Sequence, residues 1–177
     1  MKGSCHCGAV AFECTSRQPY PYNRCYCSIC RKTTAGGGYT INLASDLPST
    51  LTGAENLSFY HPVLYGDDGA DTGKRSLGER AFCKLCGSQL WNWDCRWPEL
   101  LHPTAGAIDT PLPKPPVFSH MMTRFAPDWA KDGEGAVFKA HEGDNVFDKY
   151  PNVNLMGAHE AFAKAASGAG GAGGDEA

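Results

Sequence analysis

Residues 25–30 read CYCSIC, which places the thiols of Cys25, Cys27 and Cys30 close together in a cysteine triple. Two pairs lie elsewhere in the chain, Cys5-His6-Cys7 and Cys83-Lys84-Leu85-Cys86. Thiolates one or two residues apart can reach the same metal ion, at about 2.3 Å each, with little distortion of the backbone. The nine cysteines cannot all pair with one another, and no secretory leader points to an oxidising compartment. The spacing therefore favours metal binding over disulfides.

The number of sulfur atoms at a site decides what a bound metal can do there. The two pairs together offer four thiolates, and the triple offers three. Four thiolates make a closed structural zinc site, whereas three leave a position open for water or substrate. Simple tetrahedral sulfur sites favour zinc over copper or an iron–sulfur cluster. The triple would instead be a second closed site if a further side chain completed it, the candidates being Cys14, Cys95, His6 and His102.

The chain has 177 residues, of which 42% are hydrophobic and 20% charged. This composition predicts a globular protein. No apolar run approaches the roughly 20 residues that cross a bilayer, and the N-terminus lacks the apolar core of a signal peptide. A formal net charge of −3 argues against binding to a nucleic-acid backbone. We therefore expect a cytoplasmic protein that binds neither membrane nor nucleic acid.

Short β-branched and aromatic segments dominate the chain, which predicts a small, mostly β domain of short antiparallel strands with its metal sites on turns and little helix. We expect this zinc-binding domain to span residues 1–150, with an exposed loop from Gly66 to Gly73. A short extension follows at residues 151–166, in which residues 155–166 could form one short helix. Residues 167–177 are mostly Gly and Ala and are expected to be disordered.

Three segments together resemble a known family: GSCHCGAV at residues 3–10, CYCSICRK at residues 25–32 and FCKLCGSQL at residues 82–90. The chain is similar to the glutathione-dependent formaldehyde-activating enzymes, which are grouped with centromere protein V. The resemblance implies an Mss4-like fold, also called a β-tent, that holds two zinc ions. The family's founding activity joins formaldehyde to glutathione as S-hydroxymethylglutathione, formally a carbon–sulfur lyase reaction written backwards.

The resemblance also implies a role for each group of cysteines. Cys5, Cys7, Cys83 and Cys86, which we call the quartet, would hold the structural zinc ion. The triple would hold the active-site ion.

A zinc ion with three thiolates carries a net charge of −1, so it is a weak Lewis acid and is better suited to binding a substrate thiol. Arg31 and Lys32 follow the triple directly and could offset that charge or bind a carboxylate of glutathione. A proton must also move to or from the carbonyl oxygen, and His61, His120 and Tyr39 are candidate acids or bases.

Two main interpretations follow. The first is a zinc-dependent enzyme that makes or breaks a carbon–sulfur bond between glutathione, or a similar small thiol, and a small electrophile. The alternative is a non-catalytic zinc module for protein interaction, in which both zinc sites are structural and the second site is closed. Metal storage or thiol redox sensing is a third interpretation and would require a readily reactive Cys14 or Cys95.

Overall fold

The computed structural model describes residues 1–16, 22–34, 40–42, 44–66, 70–131, 143–149 and Gly157. The strands in these ranges are β1 (Lys2–Ser4), β2 (Ala11–Glu13), β3 (Tyr22–Cys25), β4 (Thr40–Asn42), β5 (Ser45–Asp46), β6 (Thr50–Thr52), β7 (Leu57–Tyr60), β8 (Val63–Tyr65), β9 (Asp71–Arg75), β10 (Gly78–Cys83), β11 (Gln89–Asp94), β12 (Leu100–Pro103), β13 (Phe118–Met121) and β14 (Asn145–Phe147). Helix α1 spans Ser28–Thr34. Short 3₁₀ segments lie at Ala54–Asn56, Ala105–Ala107, Thr123–Phe125 and Asp128–Ala130.

Two antiparallel sheets enclose the main core. One has the order β1-β2-β6 and the other the order β5-β12-β11-β10-β7. Their apolar side chains meet where Phe12 of β2 packs edge-on against Trp91 of β11, with ring centroids 5.1 Å apart. Val10 and Leu90 are fully buried in the same core, as is Cys83. The two sheets therefore pack face to face around one apolar core.

A third sheet has the order β14-β13-β3-β4 and surrounds the triple. The mostly β fold with little helix is confirmed, but this sheet is not purely antiparallel. Strand β13 runs parallel to both β3 and β14, whereas β3 and β4 are antiparallel. Parallel neighbours need long connections, because the chain must cross back before it can run in the same direction. Sequence spacing between nearby strands gives no sign of such distant pairing.

Two local features differ from the sequence-based expectation. Helix α1 was not predicted, and it is too short for an apolar periodicity to reveal it. The Gly66–Gly73 stretch is not a loop throughout, because Asp71–Arg75 forms β9 and pairs with β8 in a two-stranded hairpin. Of the extension at 151–166 and the tail at 167–177, only Gly157 lies within the described residues. Among the described helices, none has the length and apolar character needed to span a membrane.

Gly53 allows the chain to approach the turn that carries Cys5 and Cys7. Its φ is +72°, and an added Cβ would lie 1.8 Å from the carbonyl oxygen of Ala9. We expect Gly53→Ala to lower the free energy of unfolding by about 3 kcal/mol or more, because left-handed strain adds to a backbone overlap. Gly73→Ala is the matched control, since Gly73 has a φ of +70° with open space around it. Chemical denaturation of both variants tests this, and equal losses would contradict the overlap argument.

Candidate metal centres

The four thiols of the quartet lie within 4.8 Å of one another. The sulfur of Cys7 is 3.5 Å from that of Cys5 and 3.8 Å from that of Cys83. In a tetrahedral zinc site with bonds of 2.3 Å, sulfur atoms are about 3.8 Å apart. Cys5 and Cys83 are buried, whereas Cys7 and Cys86 are exposed. The quartet therefore has the donor set and the spacing that suit a closed zinc site at the margin of the main core.

Two turns, one after β1 and one at the end of β10, bring the quartet together. In the first, the Cys5 carbonyl accepts the N–H of Gly8 at 2.9 Å, and the Cys5 sulfur accepts the N–H of Val10 at 3.3 Å. In the second, the Cys83 carbonyl accepts the N–H of Gly87 at 2.8 Å. Backbone hydrogen bonds therefore hold the conformation of both turns, and in the first turn one of them also reaches a cysteine sulfur.

Ser88 links the two turns. Its hydroxyl oxygen accepts the N–H of His6 at 3.1 Å and lies 3.3 Å from the sulfur of Cys86. Hydrogen bonds from the hydroxyl and backbone of Ser88 lower the pKa of Cys86 to about 5. A metal ligand must be a thiolate, so this environment favours the form that binds metal.

The triple brings its three thiols within 4.8 Å of one another, at the junction of β3 and α1. Cys25 and Cys30 are each 1% exposed, whereas Cys27 is half-buried. Cys27 directly precedes α1: its carbonyl accepts the N–H of Arg31 at 3.0 Å, and its sulfur accepts the N–H of Cys30 at 3.4 Å. The strand end and the first turn of the helix therefore hold the three sulfurs around one point.

Charge and hydrogen bonding favour a thiolate in the triple. Hydrogen bonds from the thiols of Cys25 and Cys30 lower the pKa of Cys27 to about 3, and the positive charge of Arg80 acts in the same direction. Arg80 lies on β10, and its Nη2 donates to the sulfur of Cys30 at 3.9 Å. Strand β10 therefore contributes to both clusters, because it also ends in Cys83 of the quartet.

Comparison with known proteins identifies the family of this chain. The model of the glutathione-dependent formaldehyde-activating enzyme (GFA) family matches residues 1–124. A Halomonas elongata protein, provisionally named as such an enzyme, is 47% identical over 160 residues, which cover 90% of this chain and 94% of that protein. The chain belongs to the GFA family. A crystal structure of a Rhodobacter sphaeroides protein is 30% identical and covers 64% of this chain and 92% of that one, with a TM-score of 0.47.

Both groups of cysteines in this member of the GFA family could hold a metal ion, and their all-sulfur donor sets are consistent with zinc. Within the described ranges, only three His, Cys, Asp or Glu side chains meet at the triple. Cys14 is buried in the main core, where burial raises the pKa of its thiol, and Cys95 is exposed after β11. None of the four candidates, Cys14, Cys95, His6 and His102, is in the group of ligand atoms that lie within 4.8 Å of one another at the triple.

The candidate acids and bases have different surroundings. His61 is exposed, with its Nδ1 3.2 Å from the Ser76 carbonyl oxygen and its Nε2 3.7 Å from Glu79. His120 is fully buried, and both of its ring nitrogens contact protein groups. Tyr39 lies outside the described residues. Because a general acid or base must reach the substrate, the burial of His120 favours a supporting role over direct proton transfer.

The two cations after the triple lie in the last turn of α1. Lys32 is exposed, whereas Arg31 is half-buried and its Nε has no hydrogen-bond partner among the described residues. The ammonium group of Lys32 is therefore open to an anionic ligand, whereas the Nε of Arg31 is a buried donor.

Sequence reasoning missed Ser88, Arg80, Tyr26 and Asp144 as residues around the two clusters. Ser88 and Tyr26 were within the motifs already quoted, where their position between or beside cysteines was the only available signal. Arg80 and Asp144 are far from the triple in the sequence, so only the fold brings Arg80 to Cys30 and Asp144 to His120.

Proposed function

We propose that this protein is a zinc-dependent enzyme that makes or breaks the carbon–sulfur bond of an adduct between a small thiol and a small electrophile. Glutathione is the proposed thiol and formaldehyde the proposed electrophile, in keeping with the family to which the chain belongs. The quartet would hold a structural zinc ion, and the triple would hold the active-site ion. The reaction is that of S-hydroxymethylglutathione synthesis or its reverse.

The observation that carries the proposal is the difference between the two clusters. The quartet supplies four sulfurs, whereas the triple supplies three and keeps Cys27 only half-buried. Zinc bound by three thiolates has a remaining position for a thiol and lowers the pKa of that thiol. The alternative, a non-catalytic zinc module, requires a fourth protein ligand at the triple.

The residues around the triple would balance charge and bind the substrate. The guanidinium of Arg80, 3.9 Å from the sulfur of Cys30, offsets the negative charge of three thiolates. Arg31 and Lys32 are the proposed partners of the two carboxylates of glutathione, because guanidinium and ammonium groups bind carboxylates by charge-assisted hydrogen bonds. These side chains would orient the tripeptide with its thiol toward the triple.

The proposed reaction needs no oxidant or reductant. The sulfur of glutathione forms a bond to the carbonyl carbon of formaldehyde as the π bond of that carbonyl breaks. The thiol proton is lost and a proton is gained by the oxygen, so that the product is a hemithioacetal with the atoms of its two reactants. Cleavage is the same sequence in reverse.

Cadmium-113 NMR of the metal-substituted protein tests the proposal directly, because the chemical shift reports the number of sulfur ligands. We expect one signal in the four-sulfur range from the quartet and one three-sulfur signal from the triple. Adding glutathione should move the second signal to the four-sulfur range and leave the first unchanged. Two four-sulfur signals that do not respond to glutathione would overturn the enzyme proposal and support the non-catalytic module.

Arg31→Met should raise the KM for glutathione by about tenfold or more with a smaller change in kcat. A lost charge-assisted hydrogen bond costs roughly 1.5–3 kcal/mol, and the lost contact is made equally in the ground state and the transition state. Steady-state kinetics with glutathione varied at saturating formaldehyde would measure this split. Lys84→Met, which changes a cation beside the quartet, is the control. An unchanged KM in Arg31→Met would remove Arg31 from the proposed glutathione site.

A further inference from the structure

A buried series of three hydrogen-bonded side chains runs from Asp144, just before β14, through His120 to Tyr26, which is next to the triple in the sequence. Asp144 Oδ2 lies 3.0 Å from His120 Nε2, and His120 Nδ1 lies 2.9 Å from the hydroxyl of Tyr26. The side chains of His120 and Asp144 are 0% and 3% exposed, and Tyr26 is 1% exposed. Tyr26 stands between Cys25 and Cys27 in the sequence. The hydrogen-bonded series therefore ends on the residue that separates two of the three cysteines in the sequence.

The donors and acceptors of this series have a defined order. A carboxylate only accepts hydrogen bonds, so His120 donates from Nε2 to Asp144. In the neutral ring Nδ1 is then an acceptor, and the hydroxyl of Tyr26 donates to it. The second oxygen of Asp144 accepts the backbone N–H of Phe118 at 2.8 Å. Asp144 thus uses both oxygens at once, one on the backbone of β13 and one on the ring of His120.

The same segment also packs directly against the triple. Phe147 of β14 lies against the apolar cluster formed by Cys25, Cys30 and Met121. Its carbonyl accepts the hydroxyl of Thr123 at 3.2 Å, and β14 pairs in parallel with β13. Residues 143–147 lie beyond residues 1–124, the part of the chain that matches the family model. The surroundings of the triple therefore include a segment that the family match does not contain.

We propose that Asp144 is a positioning residue for the triple, acting through His120 and Tyr26, and that residues 143–147 complete this metal centre. The proposal rests on the proposed function in one respect, namely that the triple binds metal. The backbone of Tyr26 is already fixed by donation of its N–H to the carbonyl of Met121 at 3.0 Å. The hydrogen bond between the Tyr26 hydroxyl and His120 anchors the far end of the same residue. Together the two bonds hold the sulfurs of Cys25 and Cys27 in one orientation. Fixing ligands before the metal arrives raises the affinity of a metal site.

Asp144→Asn tests the proposal with almost no change in shape. Phe118 and His120 face different oxygens of Asp144, and asparagine has a donor NH₂ in place of one of them, so only one of the two positions can still accept. Either the backbone bond is lost, or the amide NH₂ faces Nε2 and the proton of the ring moves to Nδ1, where it opposes the hydroxyl of Tyr26. We expect the zinc affinity of the triple to fall by about tenfold, while that of the quartet stays unchanged. Competition with a chromophoric chelator gives both affinities, and cadmium-113 NMR assigns each one to its cluster.

Tyr26→Phe removes the last link in the same series and should weaken zinc binding at the triple to a similar extent. Tyr22→Phe is the matched control. Tyr22, on β3, is buried like Tyr26, but its hydroxyl donates to the carbonyl of Pro113. Nitrogen-15 NMR of the His120 ring adds a readout that simple loss of stability would not change. The wild-type ring should carry its proton on Nε2, and Asp144→Asn should alter this signal while Tyr22→Phe should not.

The outcomes separate this inference from the proposed function. Weaker metal binding at the triple in Asp144→Asn and Tyr26→Phe, but not in Tyr22→Phe, would support it. If the wild-type protein binds metal at both clusters and the two variants keep the wild-type affinity at the triple, the positioning role is wrong and the proposed function stands. If the wild-type triple binds no metal, the proposed function fails and this inference fails with it.

Discussion

Cys83→Ser is expected to unfold the protein, with loss of the cooperative thermal transition and of bound zinc. Cys83 is fully buried, and its sulfur belongs to the quartet that links the turn after β1 to the end of β10. Structural zinc contributes about 10–16 kcal/mol to the folding of small zinc-binding peptides, which is comparable to the whole stability of a typical domain. A serine hydroxyl is a poor zinc ligand at neutral pH, so the substitution removes much of that contribution. Far-UV circular dichroism on heating and zinc analysis would measure both effects.

Cys14→Ser is the matched control for this substitution. Cys14 is 2% exposed and belongs to the same apolar core as Cys83, but it is in neither cluster. We expect it to cost only about 1–3 kcal/mol, the penalty of placing a hydroxyl in an apolar site. If Cys83→Ser were folded and active, the assignment of a structural zinc ion to the quartet would be wrong.

Cys27→Ser should abolish turnover and remove one zinc ion while leaving the fold intact. Cys27 is half-buried, and its replacement keeps an oxygen that can still accept the N–H of Cys30. The loss of an outer partner of a metal ligand already costs about 10–100-fold in affinity or activity, so losing the ligand itself should cost more than about 100-fold. Zinc stoichiometry, glutathione-dependent turnover and the thermal transition would be measured on the same sample.

Cys95→Ser serves as the control for loss of a thiol, since Cys95 is exposed and lies outside both clusters. It should keep full activity and the wild-type zinc content. Global unfolding of Cys27→Ser would mean that the triple is a structural site, and the enzyme proposal would then lose its main support. Normal turnover with only one zinc ion would show that the triple is not the site of reaction.

The sequence was most informative about local structure. A domain of short strands was predicted because β-branched and aromatic segments dominate the chain, and the strands that contain Phe12, Phe59 and Trp91 are such segments. Helix α1 was missed because its seven residues, Ser28–Thr34, are too few to display a helical period. The parallel pairing of β13 with β3 could not be predicted, because it joins residues about 95 positions apart that share no sequence signal.

The same limit applies to the candidate site. Cysteine spacing was enough to indicate which residues could share an ion, since short separations constrain where thiols can point. The residues that surround the triple depend instead on tertiary structure. Arg80 reaches Cys30 from another sheet, and Asp144 reaches Tyr26 only through His120. Nothing in the sequence near these residues distinguishes them from other charged residues of the chain.

The sheet around the triple imposes an order on events during synthesis. The quartet is present in the growing chain once residue 86 has been made, whereas the triple, which emerges much earlier, obtains its neighbours β13 and β14 only from residues 118–121 and 145–147. Contacts between residues so far apart form late, because a long loop must close before they can stabilise anything. For most of translation the three thiols therefore belong to a strand end that can pair with β4 but still lacks β13 and β14. Any metal bound by the nascent triple is bound before the surroundings that will enclose it exist.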